Sequence, residues 1–283
     1  MTGKVIKAPA KINITLNIGE KVADLHPIKA IFLKIDLYDE IEVAEEGDGL
    51  KLNSETFYEQ NTVVKSYNIL KEAGYNPGGL KVSINKNIPA GGGLGGGSSN
   101  AGAILNAMNE MCNLNISKDK LLEYGLMVGS DVPFFIVNRN AYVSHFGEVI
   151  TPIEVGEMPD ILVAFTDRGC NTRDVYNKFD KIGRKNRDKS NFSWNRFIYS
   201  IEVGDIDTIE AMMFNDLEPV VLEEREDIRT AKEIMNRHGL RCVMMSGSGC
   251  SVFGFSNNRN IIADTEDELK SKGYKIHIGR IIA

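Results

Sequence analysis

The sequence predicts an α+β protein with two domains. Strand-like runs, in which apolar and polar residues alternate, are interleaved with segments of helical periodicity, and this mixed order is typical of α+β domains. A length of 283 residues is enough for two modest domains with cores of their own. A polar, glycine-containing stretch near 152–159 separates two strand-like runs, so we predict domains at 1–155 and 156–283.

The composition narrows the class of function. Hydrophobic residues make up 42% of the chain and charged residues 25%, which is ordinary for a globular protein in water. The net charge of −6 argues against a general affinity for nucleic acid or anionic membranes. Neither a signal-like apolar segment nor a run long enough to span a membrane is present, so we expect a cytoplasmic protein.

The four cysteines are scattered and form no CxxC pair. In a cytoplasmic chain of this size we interpret them as reduced, structural thiols. They are Cys112, Cys170, Cys242 and Cys250.

The first half of the chain begins with a clearly alternating strand. INITLNI at 12–18 places apolar side chains on one face and polar ones on the other, which predicts a half-buried strand with Lys11 and Asn13 on its polar face. The other elements predicted in this half are strands at 33–43 and 80–84 and helices at 61–74 and 118–128, the last capped by Ser117 and ended by Gly129.

The second half repeats this mixture of elements. A basic segment at 178–196 is interpreted as a solvated surface loop. The predicted elements are strands at 161–165, 241–245, 251–255 and 274–282 and helices at 172–179, 205–214, 227–238 and 265–272.

The region richest in chemical information is a glycine run between a strand and a strong helix. Six of the seven residues from Gly91 to Gly97 are glycine, and Ser98 or Ser99 is expected to cap the helix that follows. Glycines allow successive N–H groups to point at a ligand, and the helix adds its free N–H groups and the positive end of its dipole. We therefore predict a triphosphate site at Pro89, Ala90, Gly91, Gly92, Gly93, Leu94, Gly95, Gly96, Gly97, Ser98 and Ser99.

Other glycine-rich motifs fit less well. Gly91, Gly93 and Gly96 match the G-x-G-x-x-G of a dinucleotide-binding unit, but no acidic residue ends a second strand about 20 residues later. No Gly-Lys-Ser/Thr closes the run, so it is not a Walker A loop. A flexible linker would not sit so tightly between two patterned elements.

Several motifs together resemble the GHMP superfamily of small-molecule kinases. PAGGGLGGGSSNA at Pro89–Ala101, APAKIN near the N-terminus, GSDVPFF at Gly129–Phe135, NDLEP at Asn215–Pro219 and SGSG at Ser246–Gly249 carry the resemblance along nearly the whole chain. The doubled glycine run, AKIN and DVPFF are similar to one branch in particular, the kinases that act on 4-diphosphocytidyl-2-C-methyl-D-erythritol. This resemblance implies a ribosomal-S5-like N-terminal domain and a ferredoxin-like C-terminal domain.

The resemblance also implies a reaction. The γ-phosphoryl group of ATP would pass to the 2-hydroxyl of the cytidyl substrate, a step of non-mevalonate isoprenoid biosynthesis. Asp131 would accept the hydroxyl proton and Lys11 would stand beside it; phosphoryl transfer needs such an acceptor, and a nearby lysine favours the charged carboxylate. Mg²⁺ is expected to arrive with ATP, and no carboxylate ligand is assigned to it. Alone, Lys11 would be an ordinary strand lysine and Asp131 a helix cap.

The residues assigned to substrate by the same resemblance are Asn13, His26, Thr172 and Tyr176. The branch carries Gly-Tyr-His where this chain has Asp24-Leu25-His26, so the histidine is kept and the aromatic residue is lost. An aromatic platform under a base contributes about 1–3 kcal/mol. Asn61 resembles a residue near the adenine, although a helix N-cap explains it equally well.

Three functions follow from these motifs. The first is the cytidyl-substrate kinase, the second a GHMP kinase for a different alcohol, and the third a non-catalytic ligand sensor on the same fold. Lys11 and Asp131 argue against the sensor, which has no need of a base. The expected partner is a small molecule, with neither nucleic acid nor membrane involved, and the chain is expected to be a monomer or a homodimer.

Overall fold

A computed structural model describes residues 3–54, 61–182 and 192–283. Within these ranges the strands form two sheets, one of six strands and one of four. The strands are β1 (Lys4–Ile18), β2 (Ile28–Glu45), β3 (Leu50–Asn53), β4 (Leu80–Asn85), β5 (Ala141–His145), β6 (Val149–Pro152), β7 (Asp160–Phe165), β8 (Arg241–Met245), β9 (Ser251–Ser256) and β10 (Lys275–Gly279).

The described helices lie in four of the connections between consecutive strands, those from β3 to β4, β4 to β5, β7 to β8 and β9 to β10. None of those in the described ranges has the length and apolar character to cross a membrane. They are α1 (Thr62–Glu72), α2 (Gly96–Met111), α3 (Lys118–Val128), α4 (Val132–Val137), α5 (Thr172–Ile182), α6 (Trp194–Glu202), α7 (Ile206–Met212), α8 (Glu218–Glu224), α9 (Glu226–His238) and α10 (Arg259–Ser271).

The first sheet is organised around the long strand β2. β1 runs antiparallel to it over nearly its whole length, with register shifts after Pro9 and after Asn13. β4 pairs with one end of β2, at residues 40–45, and β5 with the other, at residues 28–32. The apolar faces of α1, α2 and α3 pack with residues of β2 and β4 in one hydrophobic cluster. The strand that carries Lys11 is therefore held firmly in place.

The second sheet is antiparallel and has the strand order β10-β7-β9-β8. Helices α5 to α9 lie between β7 and β8 in the sequence, and α9 leads directly into β8. Helix α10 connects β9 to β10. This β-α-β-β-α-β order is that of ferredoxin-like domains. The α+β class is confirmed, including the ferredoxin-like half expected from the resemblance.

The two sheets meet along β1. Leu16 N donates to Phe214 O at 2.8 Å, and Asp216 N donates to Leu16 O at 3.0 Å. Near the other end of β1, Asn13 N donates to the Ser246 hydroxyl at 3.2 Å. Two of the hydrophobic clusters in the described residues contain side chains from both sheets. The domain division at residue 155 stays a prediction.

One expectation about β1 is wrong. Its polar face was predicted to be exposed, yet Lys11 and Asn13 are each only 2% exposed and Thr15 is fully buried. The reason is tertiary: the second sheet and the glycine run cover that face. A polar face that is buried must find hydrogen-bond partners, and these partners define the site.

Most predicted elements are present, although several ends differ: the strand predicted at 12–18 begins at Lys4, and the one predicted at 33–43 spans Ile28–Glu45. Helix α3 has the predicted bounds and its Ser117 cap, whose side chain accepts from Lys120 N. The helix predicted at 265–272 begins earlier, at Arg259. Elements missed from the sequence are β3, β5, β6, α4, α6 and α8. Much of the basic segment at 178–196 lies outside the described residues, because 183–191 are not part of them.

Candidate active site

A cavity of about 1170 Å³ lies where the two sheets meet. It is large enough for two ligands side by side. Most of the residues predicted from the sequence line it: Lys11, Asn13, His26, Asn61, Pro89, Ala90, Gly91, Gly92, Gly93, Gly95, Gly96, Gly97, Ser98, Asp131, Thr172 and Tyr176.

The glycine run forms one wall of the cavity and leads directly into α2. The N-cap of α2 is Gly95 in the left-handed conformation, at φ 73°, and no side chain caps the helix. The predicted cap at Ser98 or Ser99 is therefore wrong, because the tight glycine turn starts the helix a few residues earlier. Uncapped N–H groups at the first turn are left to bind an anion.

Gly93 illustrates why this loop has to be glycine. Its φ is 75°, and a Cβ at this position would lie 2.1 Å from Ser246 O. The Ser246 hydroxyl donates to Gly93 O at 2.9 Å and also accepts from Asn13 N. The SGSG turn thus packs against the backbone of the glycine loop, and together they border the cavity.

Lys11 and Asp131 meet in the cavity, as predicted. Lys11 Nζ lies 3.3 Å from Asp131 Oδ2, donates to Asn13 Oδ1 and stands 4.4 Å from the centre of the Phe32 ring. The main-chain N–H of Lys11 donates to Leu94 O at 2.9 Å, which ties β1 to the glycine loop. The ammonium group is buried, while the Asp131 side chain keeps 26% of its surface exposed. A small molecule can therefore reach the carboxylate.

Asp131 precedes α4 at the N-cap position but makes no capping hydrogen bond. The alternative reading of Asp131 as a helix cap is not supported, since its carboxylate turns toward Lys11 instead. Behind it, Phe134 and Phe135 anchor the short helix in the core with an edge-to-face contact at 5.0 Å. The apolar VPFF segment thus fixes the position of a charged residue at its start.

On the opposite side of the cavity lie residues of α5 and of the loop at 19–27. The Thr172 hydroxyl is 2.8 Å from the Ser248 hydroxyl, which connects α5 to the SGSG turn. Burial raises the pKa of the Tyr176 phenol, and the charges of Asp131 and Asp216 raise it further, so the phenol is neutral at physiological pH. The His26 ring stands 5.7 Å from the Tyr176 ring.

Three predicted residues have additional or different positions. Asn61 caps α1, accepting from Val63 N at 2.9 Å, and also lines the cavity. Leu94 and Ser99 belong to the glycine segment but do not line the cavity. Leu94 packs in the hydrophobic core, and Ser99 is buried within α2.

Sequence reasoning missed a cation beside the glycine loop. Lys86 lines the cavity and forms an ion pair with Asp39, a fully buried carboxylate that also accepts from Asn87 N and Ile88 N at 2.8 and 2.9 Å. A lysine three residues before Pro89 was a possible signal, but its importance depends on the buried partner. That partner lies in β2, distant in the sequence.

Asn215 holds the SGSG turn in place through hydrogen bonds to its backbone. Its side-chain amide donates to Met245 O at 2.9 Å and to Gly247 O at 2.7 Å. Its Oδ1 in turn accepts from Leu217 N at 2.9 Å. The NDLEP motif thus shapes the cavity through the backbone of another motif.

The expectation of four reduced cysteines is wrong. Cys170 and Cys250 form a disulfide that joins positions 80 residues apart, with Cα atoms at 5.9 Å. Cys170 N donates to Gly91 O at 3.1 Å, so the bridge borders the glycine loop. Arg225 Nη1 lies 3.1 and 3.0 Å from the two sulfurs. Sequence spacing alone contained no sign of this pairing.

Comparison with known proteins agrees with this geometry. Residues 61–139 match the model for the GHMP kinases N terminal domain and residues 197–275 that for the GHMP kinases C terminal. A 4-diphosphocytidyl-2-C-methyl-D-erythritol kinase of Clostridium botulinum (strain Eklund 17B / Type B) is 36% identical over 282 residues, covering 98% of this chain and 99% of the relative. The chain belongs to the 4-diphosphocytidyl-2-C-methyl-D-erythritol kinase family.

Further relatives and solved structures support the assignment. The kinase of the same name from Clostridioides difficile (strain 630) is 33% identical, with 96% of this chain and 93% of the relative covered. A crystal structure of 4-(cytidine 5'-diphospho)-2C-methyl-D-erythritol kinase superposes with a TM-score of 0.80 at 26% identity, over 98% of each chain. Homoserine kinase from Cytophaga hutchinsonii, at 15% identity and a TM-score of 0.72 over 99% of this chain and 95% of that chain, shares the fold.

Membership of this family settles the class of reaction. The chain is a phosphotransferase with an alcohol group as acceptor, and as a GHMP kinase it uses ATP. Its substrate is a small molecule.

Proposed function

We propose that this protein transfers the γ-phosphoryl group of ATP to the 2-hydroxyl of 4-diphosphocytidyl-2-C-methyl-D-erythritol. The observation that carries the proposal is the Lys11–Asp131 pair, 3.3 Å apart in a cavity shared with the uncapped start of α2. A proton acceptor and a phosphate cradle in one cavity are what phosphoryl transfer requires. The relatives that match nearly the full chain carry the name of this substrate.

In this proposal each residue has a distinct task. The triphosphate is bound by the backbone of Gly91–Gly97 and by the first turn of α2. Asn61 lies near the adenine. Asp131 takes the proton from the substrate hydroxyl as the hydroxyl oxygen bonds to the γ-phosphorus and the bond from that phosphorus to the bridging oxygen of ATP breaks, which releases ADP. Lys11, held between Asp131 and Asn13, offsets charge on the group in transfer. The cytidyl substrate is held by Asn13, His26, Thr172 and Tyr176. They place its hydroxyl beside Asp131 and in line with the γ-phosphoryl group.

Magnesium fits the site as a partner of ATP. The described residues contain no cluster of three or more acidic, histidine or cysteine side chains that would form a cage. Asn100 lines the cavity, however, and its buried Oδ1 has no hydrogen-bond partner among the described residues. Together with Ser98 it would offer Mg²⁺ oxygen ligands, and the phosphates of ATP would supply the rest. The ion would neutralise charge on the phosphates.

A substrate panel tests the proposal directly. Release of ADP is measured with the cytidyl substrate and, in parallel, with homoserine, mevalonate, mevalonate phosphate and galactose. We expect turnover of the cytidyl substrate alone. Absence of that turnover, combined with brisk phosphorylation of another alcohol, would contradict the proposal.

A second candidate is a GHMP kinase with a different alcohol substrate. The observation that favours it is Leu25, which lines the cavity with 61% of its surface exposed and offers no aromatic face to a base. The same panel separates the two candidates. A binding assay that shows affinity for the cytidyl substrate without ADP release would point instead to a ligand sensor.

A further inference from the structure

The loop at 19–27 forms part of the substrate side of the cavity and is largely exposed. Residues 20–25 are exposed, and only a short Val22–Leu25 bridge interrupts the irregular backbone. Its two ends are tied together, because Gly19 N donates to Pro27 O at 2.6 Å. A loop with so few buried contacts is expected to open locally unless something outside it fixes it.

Asp180 provides such a tether from α5. Its Oδ1 lies 2.7 Å from His26 Nε2, and its Oδ2 accepts from Lys21 Nζ at 3.1 Å. Burial acts to raise the pKa of the Asp180 carboxyl, but the hydrogen bond and charge of Lys21, together with those of His26, outweigh it and the pKa is lowered. One carboxylate thus joins two basic residues of the loop to a helix.

The contact with Asp180 also bears on the position of the His26 ring. Its Nδ1 is 2.9 Å from Gly19 O, so both ring nitrogens face oxygens of the protein. The ring packs against Tyr176 and Phe179, at 5.7 and 6.0 Å between centroids. Asp180 and Tyr176 are four residues apart on one face of α5. The His26 ring therefore lies between the loop and α5, in contact with both.

We propose that Asp180 is a positioning residue for the substrate, holding Lys21 and His26 so that the loop at 19–27 is already ordered when the cytidyl nucleotide binds. This inference rests on the proposed function. If the loop is ordered in advance, substrate binding does not carry the entropy cost of ordering it. The positions of the reacting groups stay the same. The role should appear in KM for the cytidyl substrate and be absent from kcat.

The test is Asp180→Asn, with Asp174→Asn as a matched control. Asp174 lies on the same helix, is exposed and does not line the cavity, and its replacement changes the net charge equally. For Asp180→Asn we expect KM for the cytidyl substrate to rise about tenfold, equivalent to ~1.4 kcal/mol, with kcat and KM for ATP within about twofold of wild type. Asp174→Asn should match wild type.

Two further variants sharpen the result. Asp180→Glu keeps the charge and should recover most of the affinity. Lys21→Met and Asp180→Asn combined should raise KM by less than the product of their separate effects, because they break one network.

The opposite outcome is well defined. The substrate carries a negatively charged diphosphate. If other contacts held the loop, removing the negative charge of Asp180 would leave KM for the substrate unchanged or lower it. Either result would overturn the inference. Loss of ATP affinity, or of melting temperature, in parallel with KM would also overturn it by showing a merely structural role. Failure of the proposed function would be seen separately, as wild-type protein that does not phosphorylate the cytidyl substrate, and the inference would fall with it.

Discussion

Lys11 and Asp131 come from a strand and a helix start that are far apart in sequence, yet their charged atoms are 3.3 Å apart. Lys11 is fixed by the side chain of Asn13, the ring of Phe32 and a main-chain bond to Leu94. Such fixed geometry is what makes a charged pair useful in transfer chemistry, since the groups need not reorganise during the reaction.

Asp131→Asn tests the proton acceptor. The amide has nearly the same size but cannot accept the hydroxyl proton, so kcat should fall by about 10²–10⁴-fold while the Kd for ATP stays close to wild type. ADP release gives the rate and calorimetry gives the Kd. Asp264→Asn, an exposed aspartate of α10, serves as a control. Near-normal turnover in Asp131→Asn would remove Asp131 from the mechanism.

Leu25→Tyr tests the substrate side. A tyrosine at this exposed position in the cavity could stack on the cytosine, so KM for the cytidyl substrate should fall about tenfold. Val22→Tyr is the matched control, because Val22 belongs to the same loop, is 57% exposed and does not line the cavity. Equal behaviour of the two variants would favour a different alcohol as substrate.

At the scale of elements, the glycine loop is defined by its contact with the SGSG turn. Gly93→Ala would place a methyl group 2.1 Å from a carbonyl oxygen and strain a residue at φ 75°. We expect a loss of ~1–3 kcal/mol from the backbone strain alone, with a further loss from the clash. In the control variant Gly97→Ala the new Cβ would have its nearest contact at 3.7 Å, so the melting temperature of this variant should stay near wild type. Thermal unfolding compares the two variants, and equal melting temperatures would contradict the packing of Gly93 against Ser246.

The helices of the second sheet are joined by a charged contact with a defined pH dependence. Glu268 of α10 receives hydrogen bonds from Arg237 and His238 of α9, and these lower its pKa from 4.5 to about 2. A lowered carboxyl pKa means that the stabilisation is complete above pH 4.5 and is lost as the pH falls toward 2.

Glu268→Gln should therefore be less stable than wild type at pH 7, and the difference should shrink as the pH falls below about 4.5. Urea unfolding at pH 7, 5, 4 and 3 measures it. Asp264→Asn on the same helix should show no such trend. A difference that stays constant down to pH 3 would contradict the assigned contact.

For the whole molecule, the Cys170–Cys250 disulfide is a covalent restraint between distant parts of the chain. Closing a loop between positions 80 residues apart is expected to stabilise the fold by about 4.5 kcal/mol in the chain-entropy model. Wild type should thus unfold at lower urea concentration in the presence of a reductant. Cys250→Ser should behave like reduced wild type, and Cys112→Ser, which changes a thiol outside the bridge, should not.

Alkylation followed by mass spectrometry checks the bridge itself. Of the four cysteines, Cys112 and Cys242 should react in the unfolded, unreduced protein, and all four should react after reduction. Reaction of all four without a reductant would show that the bridge does not form.

Periodicity predicted the elements that carry strong local signals. Helix α3 was found with both ends because Ser117 and Gly129 mark them chemically, and β8 was found because it is an apolar run that ends at the SGSG motif. Helix α4 was missed because VPFFIV is short and apolar throughout, which is ambiguous between strand and buried helix. The site residues were found through motifs, and the placement of Lys11 and Asp131 agrees with that expectation, while their roles stay predictions.

The residues that sequence reasoning missed act through partners distant in the chain. Lys86 needs buried Asp39, and Asp180 needs His26 and Lys21. No local pattern distinguishes such a residue from an ordinary surface charge, because its environment is created only when the strands and helices meet. The same reason explains the error on Cys170.

By itself the sequence determined that the glycine run at 91–97 leads into a helix, and it predicted a phosphate site there, because glycine accepts a left-handed backbone such as that of Gly95 without steric cost. It also determined the α+β class, since local periodicity is a property of neighbouring residues. Only the tertiary structure decided that the polar face of β1 is buried, which cations surround the cavity and which carboxylate contacts the loop at 19–27. Those features depend on contacts between distant segments, and they exist only once the two sheets have packed together.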